Sequence, residues 1–91
     1  MLSQLPLDFK KLKSQKIDKE VLRLGMIAEL DAISLYEQLA AITENETIKK
    51  VLLDIAREEK THVGEFLALL LELDPEQEKE LERGKQEVQE L

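Results

Sequence analysis

The sequence predicts an all-α fold: an antiparallel hairpin of two long helices, followed by a short C-terminal helix. Three observations predict it. Ala, Leu, Glu and Lys dominate a chain with three glycines and two prolines, which is the composition of long helices. Apolar residues recur in alternating steps of four and three through two long stretches, the period of a helix seam. Between those stretches lies "TENET", residues 43–47, so short a connection that the flanking helices must run antiparallel. Ninety-one residues, 43% of them hydrophobic, make one small domain with enough apolar content for a core. A chain of this size buries a modest share of its surface alone, so partner chains are a natural supplement.

Residues 1–13 have weak periodicity, Pro6 and several lysines. They read as an arm whose Leu5, Leu7, Phe9 and Leu12 can dock on a neighbour. Residues 14–74 form the hairpin. The first helix starts between Ser14 and Asp18, with Asp18 as N-cap and Ile17 and Leu22 as a hydrophobic staple. Its seam runs Leu22, Met26, Glu29, Ile33, Tyr36, Ala40. Leu24, Ala28, Leu35 and Leu39 line a second flank, so this helix should be covered on more than one side.

In the turn, Thr43 and Glu46 fit a capping box, and Asn45 is a rival cap. The second helix runs from about Glu46 to about Leu73, with the seam Ile48, Leu52, Ile55, Glu59, His62, Phe66, Leu69, Leu73. Asp74 and Pro75 then end it and start the C-terminal helix of residues 75–91, Asp74 as cap and Pro75 at the first helical position. That helix is acidic, with a thin stripe of Leu81, Val88 and Leu91. It ends without a stop signal, as a segment of a longer chain would.

The chemistry sits in the seams. Glu29 lies fifteen residues before Glu44 and Glu59 fifteen after it. In an antiparallel hairpin, equal distance from the turn means equal height, so the two carboxylates should face each other. His62, the one histidine of the chain, lies one helical turn further out, and Tyr36 about two turns nearer the turn. Burying ionised carboxylates without compensation costs several kcal/mol each, by order of magnitude. Neither seam carries a Lys or Arg to offset that cost.

A divalent cation would offset it, and carboxylates with an imidazole suit iron or manganese, with zinc as a further candidate. One chain offers three ligands, too few to close a site. Carboxylate-bridged di-metal bundles use one Glu from each of two helices and Glu-x-x-His from each of the other two. This hairpin holds half of that set, and two copies about a two-fold axis complete it. The charges of four carboxylates and two divalent ions then cancel. A lone Glu-x-x-His is common by chance in Glu-rich helices; it is the three seam positions at matched height that carry the metal reading. The surface acids Asp31, Glu58 and Glu65 read as solvated charges.

Composition narrows the alternatives. A net charge of −7 argues against a nucleic-acid partner. With no cysteine, disulfides, thiolate zinc sites and cysteine nucleophiles are excluded. No apolar run reaches the length of a membrane span, and no signal-peptide pattern opens the chain, so the expected address is the cytoplasm or a compartment assembled within it. Two rivals to an iron-oxidising centre remain. One is a structural oligomerisation module whose buried polar residues fix register. The other is a different di-iron activity, such as peroxide reduction of the rubrerythrin kind.

"GMIAELDAISLYEQLA" with "LLDIAREEKTHVGEFLALLLELDPEQ" resembles the encapsulated ferritins, the half-ferritin cargo of encapsulin nanocompartments. The resemblance is closest to the archaeal type, fused to the shell protein, and covers roughly residues 18–91. It implies that Glu29, Glu59 and His62 are ferroxidase ligands and that Tyr36 is the family's nearby tyrosine. Asp31 falls on one of the two acid positions of the family's outer metal-entry site; Ala28 falls on the other, and Leu35 stands where some members have tryptophan. The resemblance further implies a homodimer forming a ferritin-like four-helix bundle, assembled into a ring, commonly a decamer. Such a dimer would hold two iron ions, with other divalent metals able to substitute. It would oxidise ferrous iron with dioxygen, inside a shell that this chain does not form.

Overall fold

A computed structural model describes residues 14–91; the arm expected at residues 1–13 lies outside the described residues. Three helices follow one another: α1 (Ser14–Ile42), α2 (Glu46–Leu73) and α3 (Pro75–Gln89). α1 and α2 pack along their length as an antiparallel hairpin, and α3 leans lightly on α2. None of the described helices is long and apolar enough to cross a membrane.

α1 begins a full turn earlier than an Asp18 cap requires, and Asp18 is an interior helical residue. Ser14–Ile17 contains no Gly or Pro to oppose the helix, so helical propensity carries it upstream past the carboxylate.

The turn is resolved in favour of Asn45. Its Oδ1 accepts from the backbone N–H groups of Thr47 and Ile48, both at 3.0 Å. Thr43 fails as the cap because it closes α1 instead of opening α2: its N–H donates to the Leu39 carbonyl at 3.1 Å, and α2 begins only at Glu46. Its hydroxyl instead accepts from the Asn45 N–H at 3.2 Å, tying the turn to itself. At the other end Asp74 closes α2 and opens α3. Asp74 Oδ1 accepts from the Gln77 N–H at 3.1 Å, and Oδ2 pairs with Arg23 Nη2 at 3.1 Å. One carboxylate thus caps a helix and ties the hairpin's open end across to α1.

The packed centre is thin. Ile33 and Ala40 of α1 and Ala56 and Leu70 of α2 are the buried apolar side chains among the described residues. Most other seam residues stay half-covered, but Ile48, Leu69 and Leu73 of the α2 seam are exposed, as are Val21, Leu35, Leu39 and Val51. On α1 the series Val21, Gly25, Ala28, Ala32, Leu35, Leu39, Ile42 advances by fours and threes. It forms a continuous apolar and small-residue face beside the seam. Apart from Phe66 against Gly25, the second-side cover expected for this helix is not supplied by the described residues.

Candidate metal centre

The ligand cluster is a product of helix geometry. On α2, Glu59 and His62 are three residues apart and share one face. The hairpin brings α1's Glu29 to the same height. His62 Nδ1 lies 3.5 Å from Glu29 Oε1 and 3.4 Å from Glu59 Oε2. One donor atom from each of the three residues falls within 4.8 Å of the others, close enough for a single ion to touch all three.

The surroundings fit a cation. The Glu29 and Glu59 side chains are each 19% exposed, while His62 is 43% exposed. The carboxylates are thus largely withdrawn from water, and the imidazole stands at the mouth. Glu29 Oε2 is the one buried side-chain polar atom among the described residues that lacks a hydrogen-bond partner. An orphaned carboxylate oxygen is costly unless something positive meets it. The donor set of two carboxylates and one imidazole is that of iron, manganese or zinc.

Tyr36 lies on α1 about two turns nearer the hairpin turn than Glu29. It is half-buried and lines an open cavity of about 400 Å³ with Asp31, Ala32, Ser34, Leu35 and Gln38. Asp31 and Tyr36 therefore share a depression on α1, displaced from the ligand cluster toward the turn. Of the surface acids, Glu58 and Glu65 are exposed and Asp31 is intermediate.

One close contact near the centre has no motif to announce it. The Phe66 ring, one turn beyond His62 on α2, stands against the bare backbone of Gly25. The sequence signal is a glycine inside a strongly helical stretch, a position that usually has a packing reason.

Comparison with known proteins agrees with this architecture. The family model described as Rubrerythrin matches residues 20–91. The ferritin-like-encapsulin shell fusion protein of Pyrococcus furiosus is 67% identical over 72 residues, which are 79% of this chain and 21% of that protein. The encapsulin nanocompartment cargo protein EncC of Myxococcus xanthus is 45% identical over 56 residues, 62% of this chain and 43% of that protein. The chain thus spans less than half the length of either curated relative. The crystal structure of the encapsulated ferritin domain from Pyrococcus furiosus superposes with a TM-score of 0.87 at 56% identity, covering 100% of this chain and 95% of that one. The chain therefore belongs to the rubrerythrin family, within its encapsulated-ferritin group, and carries the ferritin-like fold.

Proposed function

We propose that this chain is a ferroxidase domain that works as a homodimer, taking ferrous iron as substrate and oxidising it with dioxygen for storage as ferric mineral. The observation that carries the reading is the cluster of Glu29, Glu59 and His62 with one carboxylate oxygen buried and unpaired. Three donors close no site alone, but two hairpins supply the full ligand set of a di-iron bundle.

The open face beside the cluster supports the pairing. Glu29 lies one residue from residue 28, the midpoint of α1, so a two-fold axis at the site overlaps both hairpins along their whole length. It lays Val21, Leu69 and Leu73 of one copy over the Leu39–Val51 end of the other, apolar on apolar. The resulting dimer is a four-helix bundle, and a ring of such dimers, decameric in the family resemblance, is the expected higher assembly. In domain terms, residues 14–74 are the half-bundle, residues 75–91 the C-terminal helix and residues 1–13 the arm.

Glu29 and Glu59 place anionic oxygens on the pair of ions. Their charge would favour the ferric over the ferrous state, and His62 would supply a neutral nitrogen donor. The two ferrous ions of one site each give one electron. Dioxygen takes both electrons with two protons and leaves as hydrogen peroxide, and the ferric product passes on to mineral. By the family resemblance, Asp31 would serve ion entry and Tyr36 would stand near the ions; the two line one open cavity on α1.

The names of the relatives support an encapsulin nanocompartment shell as the partner; enclosure of the mineral by that shell, in the cytoplasm, is part of the proposal. A peroxide reductase of the rubrerythrin kind usually relays electrons through a cysteine-bound iron, and this chain has no cysteine.

The test is anaerobic ferrous titration followed by aeration. The protein should take up about two ions per dimer by the symmetric ligand count and consume oxygen. Glu59→Ala and His62→Ala should lose most of that rate; full iron oxidation in both variants would end the assignment. Uptake of ferrous iron without oxygen consumption would favour a structural module.

A further inference from the structure

Three glycines lie in this chain, all in helices, and only one is crowded. A Cβ added to Gly64 or Gly84 would meet nothing within 4 Å. A Cβ added to Gly25 would lie 3.1 Å from Phe66 Cε1, 3.1 Å from Cζ and 3.3 Å from Cε2. Those three atoms are the far end of the ring, so Phe66 stands end-on against the α1 backbone. Gly25 does not have positive φ; conformational freedom is not what it supplies. A glycine in a helix interior weakens the helix relative to alanine, so the missing side chain answers to the ring.

The contact is placed where it matters. Gly25 is four residues before Glu29, and Phe66 is four residues after His62. Each is therefore one turn along the same face from a residue of the cluster. We infer that Gly25 is a positioning residue for the metal centre: by admitting the Phe66 ring end-on, it sets the separation of α1 and α2 at the height of Glu29, Glu59 and His62.

The magnitudes support this. At 3.1–3.3 Å from the ring a methyl at Gly25 is tighter than ordinary van der Waals contact, so the ring and the helix that carries it must give by a few tenths of an ångström. Metal–ligand distances tolerate about 0.2 Å. The inference rests on the metal-centre reading above, and the experiment separates the two.

Four proteins are compared: the wild type, Gly25→Ala, Phe66→Leu and the double variant. Each is titrated anaerobically with cobalt(II), whose visible absorption reports both occupancy and ligand geometry, and each is melted free of metal. Gly25→Ala should bind cobalt about 10- to 100-fold more weakly, the range for residues that support ligands, with an altered spectrum. Phe66→Leu alone should also bind more weakly, because the spacer is shortened. The double variant should bind more tightly than either single one, since the methyl then occupies the space the ring gave up.

Wild-type affinity and spectrum in Gly25→Ala overturn the inference, as does a double variant no tighter than Gly25→Ala. Should Gly25→Ala fail to fold, wild-type affinity in Phe66→Leu overturns it equally. If the wild type itself binds no cobalt, the metal-centre reading falls. The spacer then stands only if the metal-free melting temperatures rank the double variant above Gly25→Ala and Gly25→Ala below the wild type.

Discussion

Glu29 carries opposing demands in one side chain. Oε1 lies 3.5 Å from the His62 imidazole, while Oε2 is buried without a partner. An unpaired, desolvated carboxylate destabilises a metal-free protein, and its neutral amide isostere does so less. Glu29→Gln should therefore raise the melting temperature of chelator-treated protein, by about 4–8 °C for each kcal/mol recovered in a domain of this size. The same change should abolish tight iron binding. Scanning calorimetry on metal-free samples checks the first half, and an unchanged or lower melting temperature would contradict it. The three cluster residues were legible because their polarity breaks an apolar period. The Gly25–Phe66 contact was not, since it depends on the ring rotamer and on how closely two backbones approach, neither of which a one-dimensional pattern encodes.

Among the elements, the caps are the sharpest local signals. Asn45 satisfies two backbone N–H groups at the start of α2. Asn45→Ala should cost about 1 kcal/mol of stability, read as a lowered urea midpoint with an unchanged slope. Asp74→Ala should cost about 1–2 kcal/mol, because the Gln77 N–H loses its acceptor and Arg23 loses a partner. Asp74→Asn keeps the cap, and the ion pair it gives up is weak because Arg23 is 41% exposed; it should stay within about 1 kcal/mol of the wild type. Glu46, Leu73, Asp74 and Pro75 could be read as helix boundaries because turn chemistry marks each of them. The start of α1 falls at the early edge of the range read for it, Ser14 to Asp18, and only the Asp18 cap fails. An acidic residue after an apolar one mimics a cap at Asp18, and what decides against it is the unremarkable helix tolerance of the four residues before it.

For the whole molecule, the described residues extend 47 × 41 × 19 Å, a thin slab with little interior. Exposed Val21, Leu35, Leu39, Val51 and Leu69 make the isolated hairpin a poor end state. Ala28→Arg, on the face beside the cluster, should shift the protein toward monomer in analytical ultracentrifugation while leaving its helical circular dichroism in place; retained dimer would move the interface elsewhere. Removing metal should have a related effect, because facing carboxylates then repel across the pair. Size-exclusion profiles that coincide with and without iron would refute this. Half a ligand set in the sequence is what motivates the proposed second copy, whereas the uncovered flank of α1 proposed to meet it could be picked out only once the covered and uncovered sides of that helix were told apart. The three-residue turn has a last consequence. Glu29 and Glu59 are thirty positions apart with Glu44 halfway, and one added residue in a helix rotates everything beyond it by about 100°. That interval behaves like a ruled scale: over evolutionary time its letters are free to drift at solvent-facing points, while insertions and deletions should collect outside it.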